Sequence, residues 1–462
     1  MYFQKRKRGL HLRRKNEIKG NYLFSNRDLK RLIIPLVVEQ FLAIFVGLAD
    51  SIMVSSVGEA AVSAVSLIDT IMVLLINIFT ALATGGAIVA GQAIGRKNQK
   101  DGCEAEEQLL LFSTLFSVCI MALMYCLRGF ILHVVFGNIE PEVMNNCNTY
   151  FLIVTASIPF LAMYNSGAAV HRAMGDSKTP MLMSLVMNGM NLAGNAVLLY
   201  GLGWGIEGAA IPTTLSRAFA GIWMVCCMCN RKKQLHIRSI WKIRPKGAVL
   251  KKILHLGIPY SLENSMFQLG KILVLSLVSS FGTTSIAANA VANNVCNFAI
   301  IIGMSMNYAL SAVSAQCVGA GDYSQVRYYT KRLMKYSYAG LVFMNVLIIA
   351  ALPLIIRVYN LSQETGVLAD KIITYHAICA VLIWAVAFTL PNTLRAANDV
   401  AFCMWVSMAS MWIFRIGFSF VLAKYLGMGV FGVWVAMTID WLVRAAVFLF
   451  RYRGKRWERK KI

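Results

Sequence analysis

The sequence has few charged residues and very few acidic ones. Charged side chains make up 14% of the 462 residues, against about 25% in an ordinary soluble domain. Asp and Glu number 21 against 45 Lys and Arg, while 58% of the residues are hydrophobic. Apolar runs long enough to span a bilayer occur more often along the chain than in soluble proteins. The sequence therefore predicts a polytopic membrane protein.

Several motifs that would indicate catalysis or ATP hydrolysis are also absent from the sequence. No GxxxxGK[ST] loop is present, so we expect the energy for any transport to come from an ion gradient rather than ATP. The cysteine cluster at Cys226, Cys227 and Cys229 lacks the second pair of a zinc site, and His133 and His376 have no ligand partner at motif spacing. We expect no cofactor, no bound transition metal and no enzymatic activity.

The positive charges are confined to the gaps between apolar runs. The net charge of +24 is therefore explained by basic loops on one side of the membrane rather than by a nucleic-acid-binding site. The basic gaps alternate with gaps of little charge, which predicts that both termini are cytoplasmic. The basic N-terminus is not followed by a short apolar region with a cleavage site, so we expect a cytoplasmic tail. We expect a multi-pass monomer in the inner cell membrane, with the bilayer and small organic molecules as partners and no nucleic acid.

The apolar runs predict an all-α membrane protein with twelve transmembrane helices in two six-helix bundles. The predicted spans lie near 32–57, 62–92, 108–128, 149–170, 181–200, 208–229, 254–281, 286–317, 333–356, 372–394, 402–423 and 430–450. They predict a basic cytoplasmic tail (1–31), an N-terminal lobe (32–229), a basic cytoplasmic linker (230–253), a C-terminal lobe (254–450) and a second basic cytoplasmic tail (451–462).

The two predicted lobes are copies of one another. At a shift of 224 residues, Pro35 falls on Pro259 and Glu39 on Glu263, and a later set of glutamines and glycines also matches: Gln92 with Gln316 and Gly95 with Gly319. The sequences RAMGD at 172–176 and RAAND at 395–399 match at a shift of 223. Six helices per copy place both lobes in the same orientation. A parallel repeat of this kind is typical of transporters with the substrate path between the halves.

Acidic and amide side chains in the first lobe form the clearest candidate site. Glu39 and Asp50 lie on one stripe of the first helix, and Asp69 in the second helix is expected at the depth of Asp50. Asn195, with Asn191 one turn deeper, is expected near the same level. Such a group can hold Na⁺, with Asp50 and Asn191 as candidate ligands, or can take a proton. The alternative is that these acids only hydrogen-bond neighbouring helices, and for Asp69 the two interpretations are equally weighted.

The second lobe differs at the positions of this site. Val274 stands at the position of Asp50, Asn293 at that of Asp69 and Arg415 at that of Asn191. Lys271 replaces Gly47 and lies two turns from Glu263, where it is an internal counter-ion, a substrate contact or a snorkelling residue. Arg415 is expected either to snorkel or to face the cavity, Arg217 and Lys424 to lie at the membrane interface, and Asp440 to pair with Arg444.

These motifs resemble those of the multidrug and toxic compound extrusion (MATE) transporters of bacteria. The resemblance is carried by Pro35 and Glu39 with LADSIMVSSVG around Asp50, by RAMGDSKTP from Arg172, by NLAGN from Asn191 to Asn195, and by Pro259 with Glu263. It covers essentially the whole chain. The resemblance implies an antiporter that exports organic, often cationic, compounds in exchange for Na⁺ or H⁺ through a cavity between two lobes.

The resemblance also implies roles for particular residues. Asp50 and Asn191 match cation-coupling residues of the family, and Glu263 matches a glutamate used by members that couple through the C-terminal lobe. The chain departs from the family pattern at Asn195, where members that couple through the N-terminal lobe often carry an aspartate. It also lacks an acid in the tenth helix, at 383–390. The coupling ion is therefore open between Na⁺ and H⁺.

Two other functions remain as alternatives. A flippase for lipid-linked saccharides has a related architecture, but we expect such a protein to have a cationic cavity that binds the pyrophosphate. In this chain the predicted cavity acids outnumber the predicted cavity bases. The acids are Glu39, Asp50, Asp69 and Glu263, and the bases are Lys271 and Arg415. An integral-membrane transferase would need a His/Asp or metal-ligand grouping, which the sequence does not show. The favoured prediction is ion-coupled multidrug efflux by alternating access between the two lobes.

Overall fold

The computed structural model describes residues 22–137, 139–240, 243–359 and 361–460. Most of the first predicted tail, two residues of the predicted linker and the last two residues of the chain lie outside the described residues. The described part is all-helical and contains no β-strand. The described residues form twelve long or paired helices, six in each half of the chain, in agreement with the predicted fold class. Ten of them are long and apolar enough to cross a membrane, and the bent pair Pro141–Thr155 with Ile158–Ala173 forms an eleventh such span.

The N-terminal lobe contains the first six helices. Their bounds are α1 Asn26–Ser55, α2 Glu59–Gly95, α3 Gln99–Cys126, α4 Pro141–Thr155 with Ile158–Ala173, α5 Lys178–Gly201 and α6 Glu207–Met228. The two segments of α4 meet at a bend of 48°. Short helical segments at Arg128–Phe130 and Ile131–Val135 join α3 to α4.

The C-terminal lobe contains the other six helices. Their bounds are α7 Gly247–Ser279, α8 Thr283–Ala299 with Ile301–Gly319, α9 Tyr323–Val358, α10 Gln363–Ala396, α11 Val400–Tyr425 and α12 Gly429–Arg453. A 3₁₀ turn at Arg456–Arg459 follows α12. Of the twelve, α7 alone falls short of the apolarity expected for a span, because Glu263, Lys271 and neighbouring amides lower its hydropathy.

The repeat is visible in the helix boundaries. Helices α1 and α7 both end at positions 224 residues apart, and so do α5 and α11, whose last turns are both π-helical. A glycine with positive φ directly precedes the second helix of each lobe, Gly58 with φ 134° and Gly282 with φ 88°. Only glycine adopts these angles without strain, so the duplication has kept it at both positions.

Several helices begin well before their apolar runs. Helix α3 begins at Gln99 instead of near residue 108, and α9 at Tyr323 instead of near residue 333. In both helices a side chain at the preceding residue caps the first turn, Asn98 for α3 and Asp322 for α9. The predicted boundaries marked the apolar span, whereas capped polar turns extend the helix beyond it.

Each lobe has its own apolar core, but the first helix of each lobe crosses to the other lobe. The first half of α1 packs Leu29, Leu32 and Leu36 against α8 and α9, whereas Val54 near its end lies in the core of its own lobe. Helix α7 repeats this pattern, with Ile253 and Leu256 against α2 and Leu277 in the C-terminal core. Helices α1 and α7 therefore connect the two lobes.

A pseudo-symmetric contact joins the lobes where α2 and α8 end. The Gln92 side chain donates a hydrogen bond to the carbonyl oxygen of Ala396 at 2.8 Å, and the Gln316 side chain donates one to that of Ala173 at 2.6 Å. Between these glutamines, α2 and α8 approach so closely that a Cβ on Gly95 would lie 2.8 Å from the nitrogen of Ala320. A Cβ on Gly319 would lie 2.6 Å from the Cα of Gln92. We call this contact the closed end, because the two lobes touch each other here.

Candidate functional site

The first part of the site is a hydrogen bond between the second half of α1 and α5. The Asn195 amide donates to Oδ1 of Asp50, and the Asn195 side chain is fully buried. One turn earlier on α5, the buried Asn191 amide donates to the Thr213 hydroxyl of α6 at 2.9 Å instead of contacting Asp50. The structure thus joins Asp50 to Asn195 directly and places Asn191 in the adjoining layer.

Asp69 and Arg217 complete this group, which we call the N-lobe cluster (Asp50, Asp69, Asn191, Asn195 and Arg217). The Arg217 guanidinium lies close enough to interact electrostatically with both carboxylates, and it donates a hydrogen bond to the Ser157 hydroxyl at 3.1 Å. The expectation that Arg217 lies at the membrane interface is therefore wrong. The sequence could have indicated this location, because Arg217 lies ten residues into a helix of 22 residues, far from either end.

The N-lobe cluster is suited to hold a small cation. Two carboxylates face one guanidinium, which leaves one uncompensated negative charge in a mostly buried place. The Asn195 Oδ1 atom is buried and has no hydrogen-bond partner among the described residues. A carbonyl oxygen and a carboxylate side by side are ligands that Na⁺ accepts, and the carboxylates can alternatively bind a proton.

Glu39 and Glu263 each form a buried ion pair with the arginine of a sequence motif. Arg172 binds Glu39 at 2.6 Å and Arg395 binds Glu263 at 2.6 Å, so the repeat has kept the pair in both lobes. The Arg172 guanidinium also lies over the ring of Tyr308 in the other lobe at 4.8 Å. Both glutamates were predicted to belong to the substrate cavity or to a secondary coupling site. Each is paired with an arginine, and Glu263 lines the cavity of the C-terminal lobe described next, so their role in transport stays a prediction. Sequence reasoning aligned the two motifs but did not identify them as the partners.

A polar and aromatic cavity lies in the C-terminal lobe and extends to Asn77 of the other lobe. It has a volume of about 310 Å³. Lys271 and Arg415 line it, as do Arg444 and the paired Glu263 and Arg395. Lys271 and Arg415 therefore face the cavity, which decides between the two orientations that the sequence left open. Asp440 pairs with Arg444 at 2.7 Å, as predicted.

The charge of this cavity differs from the sequence expectation. Four basic side chains line it, Lys271, Arg395, Arg415 and Arg444, against one acid, Glu263. Asp50 and Asp69 are not among its lining residues. The expectation that acids outnumber bases along the cavity is therefore wrong for this cavity. The reason is that the acids are either paired with arginines or located in the N-lobe cluster.

Asp176 in the RAMGD motif anchors the loop between α4 and α5. It accepts hydrogen bonds from the Thr179 hydroxyl at 2.7 Å and from the Thr179 backbone at 3.2 Å, and it pairs with Lys233 of the linker. Burial by itself raises the pKa of the Asp176 carboxyl. The hydrogen bonds from Lys233 and Thr179 outweigh burial, so the pKa lies below its usual value.

A family model covers most of both lobes. The MatE model matches residues 35–197 and again residues 259–421. The two matched ranges are offset by the same 224 residues as the internal repeat. Together they cover more than half of the chain.

Curated relatives match over nearly the full length. The "Uncharacterized transporter YisQ" of Bacillus subtilis (strain 168) is 24% identical over 440 residues, which cover 92% of this chain and 94% of that protein. The "Probable multidrug resistance protein NorM" of Thermotoga maritima is 23% identical over 443 residues, 94% of each chain.

Solved structures share the fold at lower identity. A structure described as "Outward-facing conformation of a multidrug resistance MATE family transporter of the MOP superfamily" superposes with a TM-score of 0.87 at 19% identity. It covers 94% of this chain and 96% of that chain. "Crystal structure of MATE in the bent conformation" superposes with a TM-score of 0.84 at 20% identity, covering 92% and 94%. The chain is a multi-pass membrane protein that belongs to the MATE family of multidrug efflux transporters.

Proposed function

We propose that this chain is a secondary antiporter that exports small amphipathic organic molecules in exchange for Na⁺ or H⁺. The observation that carries the proposal is the N-lobe cluster, in which a partly buried Asp50 accepts a hydrogen bond from a buried asparagine beside a second acid. Intramembrane acids are costly and are retained for function. We propose no cofactor other than the coupling ion.

Cation binding at Asp50 would be coupled to the lobes through α1. Neutralising Asp50 removes the charge to which Asn195 donates its hydrogen bond, and this bond attaches the second half of α1 to α5. The first half of α1 packs against the other lobe. It also carries Glu39, which pairs with Arg172, and Arg172 in turn lies over the ring of Tyr308 in the other lobe. A change at Asp50 therefore acts on a helix that both lobes share, as alternating access requires.

We propose that the closed end faces the cytoplasm. Arg96 and Lys97 follow α2 directly at this end, and Arg172 and Arg395 lie near the ends of α4 and α10. By the positive-inside rule this basic face is cytoplasmic, in the inner membrane of a bacterium, with both termini on that side. The described arrangement is then one in which access from the cytoplasm is blocked. The monomeric state stays a prediction, which sizing of the purified protein in nanodiscs tests.

The cationic nature of the substrate, expected from the sequence, has less support than the export function. That expectation placed four acids on the substrate path, whereas Glu39 and Glu263 are paired with arginines and the C-terminal cavity is basic. We therefore propose amphipathic substrates, and we take up their charge below.

The proposal is tested by efflux from proteoliposomes under imposed gradients. Rhodamine 6G, an amphipathic cation, and fluorescein, an anion with the same xanthene framework, are loaded separately, and a Na⁺ gradient or a proton gradient is then applied. We expect one of the two gradients to drive efflux of at least one dye. Efflux that is indifferent to both gradients would overturn antiport. Mass spectrometry of the exported dye identifies an enzyme if the dye is chemically altered.

The basic cavity favours a second candidate, a flippase for lipid-linked saccharides. We expected such a flippase to present basic side chains to a pyrophosphate, and four line this cavity. Reconstituted protein that moves a fluorescent prenyl pyrophosphate sugar between leaflets, with no gradient-driven dye efflux, would support the flippase over the antiporter.

A further inference from the structure

The cavity of the C-terminal lobe contains three basic groups around one aromatic ring. Lys271, Arg415 and Arg444 lie 5.1, 5.3 and 5.6 Å from the ring centre of Phe267. Phe267 and Lys271 are four residues apart on α7, one turn of the same face. The other two cations come from α11 and α12, so three helices direct positive charge to one place.

The positive charge of this group is not compensated within the lobe. Glu263 is occupied by Arg395 at 2.6 Å, and Asp440 is bound by Arg444 at 2.7 Å. Arg415 lies at the longer distance of 4.0 Å from Asp440, and its Nε atom has no hydrogen-bond partner among the described residues. Within the described part of the chain, no carboxylate lies within 4.0 Å of the Lys271 ammonium. The group carries two excess positive charges.

The remaining walls are apolar and aromatic. Trp384, Trp434 and Trp441 line the cavity with Phe388, and methionines from α7, α8, α11 and α12 line it as well. Aromatic faces favour flat, apolar ligand bodies, and flexible methionines adapt to different shapes. The walls therefore fit an organic molecule rather than a small inorganic ion.

The internal repeat shows that the acids of the first lobe are absent from the second lobe, which carries bases that the first lobe lacks. Arg415 stands where the N-lobe cluster has Asn191, and Val274 and Asn293 stand where it has Asp50 and Asp69. The N-lobe cluster has one excess negative charge, whereas the C-lobe group has two excess positive charges. A cation that suits one lobe is repelled by the other.

We infer that the cavity around Lys271, Arg415 and Arg444 binds an organic anion, a carboxylate or phosphate attached to an apolar, aromatic-sized body. This inference rests on the proposed export function, to which it adds the substrate class. The anion supplies the charge that the excess cations lack, because uncompensated cations at membrane depth are costly. The N-lobe cluster then binds the coupling cation while the C-terminal cavity binds the substrate.

Binding to the purified full-length chain in phosphatidylcholine nanodiscs tests this site without transport. Fluorescein is the probe, followed by fluorescence polarisation. We expect Lys271→Met and Arg415→Met each to weaken binding about tenfold or more, which is the effect of losing one charge-assisted contact. Lys271→Arg should retain binding, and so should Lys424→Met, because exposed Lys424 on α11 does not line the cavity. The retention by Lys271→Arg separates loss of charge from misfolding.

Competition distinguishes the source of the anion and the charge preference. Rhodamine 6G should not displace fluorescein from the wild-type protein. Displacement by farnesyl pyrophosphate supports the site and assigns it a lipid headgroup, whereas no displacement supports the site with a soluble anion. Failure to bind fluorescein, equal binding in all variants, or stronger competition by rhodamine 6G would overturn the inference.

The transport assay shows which of the two proposals fails. Gradient-driven efflux together with unchanged fluorescein binding in Lys271→Met leaves the antiporter and removes the anion site. Loss of fluorescein binding in Lys271→Met without any gradient-driven efflux leaves the anion site and removes the antiporter.

Discussion

At the scale of single residues, the main feature is the way in which buried charges are compensated. Glu263 and Arg395 are both 8% exposed and bind each other at 2.6 Å, and Glu39 and Arg172 repeat the arrangement. A buried pair of this kind is costly to break from one side, because the remaining charge is left without a partner. The same reasoning applies to Arg415, which is 12% exposed and lies no nearer than 4.0 Å to a carboxylate of the described chain, beside the exposed Lys271.

The buried pair makes a prediction for stability. Glu263→Gln should lower the free energy of unfolding by about 3–5 kcal/mol, because it leaves the Arg395 guanidinium buried without a counter-charge. The double variant Glu263→Gln with Arg395→Met should recover much of this loss. Thermal unfolding of the purified variants in detergent measures both. A double variant that is no more stable than Glu263→Gln alone would show that the pair is not the source of the loss.

Asp176 makes a prediction for the pH dependence of stability. Its pKa is lowered in the folded protein, so its contribution is present above the pKa of the unfolded chain, about 4, and is lost as the pH falls through the folded pKa. Asp176→Asn should therefore cost about 1 kcal/mol at neutral pH and nothing in strong acid. Melting temperatures measured across this range test the prediction, with exposed Asp370→Asn as the control. A deficit in Asp176→Asn that persists unchanged in acid would contradict it.

The sequence identified the candidate site in part, for physical reasons. Asp50, Asp69 and Asn195 were recognised because acids and amides are rare at membrane depth, and helical depth placed them at one level. Arg217 was missed because an arginine can snorkel to the interface or point inward, and only packing decides between these orientations. The partners of Glu39 and Glu263 were missed because ion pairs between distant helices leave no spacing in the sequence.

At the scale of helices, the lobes are held together where glycines permit two backbones to touch. Helices α2 and α8 meet at Gly95 and Gly319, and the glutamines one turn earlier bind the opposite lobe. Small residues at a helix contact permit this approach in a membrane, where packing rather than the hydrophobic effect drives association. The pseudo-symmetry of the contact follows from the duplication.

The closed end makes a prediction for conformation. Gly95→Ala or Gly319→Ala places a methyl group against the backbone of the facing helix, so α2 and α8 must separate at this end. We expect faster hydrogen exchange in the last two turns of both helices, measured by mass spectrometry in nanodiscs. Gly47→Ala is the matched control, because no atom lies within 4 Å of the added methyl group. Unchanged exchange in both variants would show that this contact does not hold the lobes closed.

At the scale of the whole molecule, the fold could be predicted more completely than the site. The apolar runs predicted the twelve spans, and the internal repeat predicted the two parallel lobes. Both features could be predicted because each produces a direct pattern in the sequence. The break in α8 at Ile300, the bend in α4 and the crossing of α1 and α7 to the opposite lobes were not predicted. These features depend on contacts between helices that are far apart in the chain.

The whole molecule combines an acidic cluster in one lobe with a basic cavity in the other. Duplicated lobes begin with equal sites, but here the acids of the N-lobe cluster correspond to the neutral Val274 and Asn293, and the basic Lys271 and Arg415 correspond to the neutral Gly47 and Asn191. Helices α1 and α7 connect each of these places to the opposite lobe. We propose that the coupling cation acts on α1 in the N-terminal lobe while the substrate occupies the C-terminal lobe.

We propose that cation coupling takes place at Asp50. The most direct measurement is substrate-driven cation movement in proteoliposomes, followed with Na⁺-sensitive and pH-sensitive dyes for the wild type, Asp50→Asn and the control Glu59→Gln. Glu59 is an exposed acid at the start of α2, so the control removes one negative charge outside the cluster. We expect Asp50→Asn to abolish the cation movement and Glu59→Gln to behave as the wild type. Cation movement of wild-type size in correctly folded Asp50→Asn would contradict it.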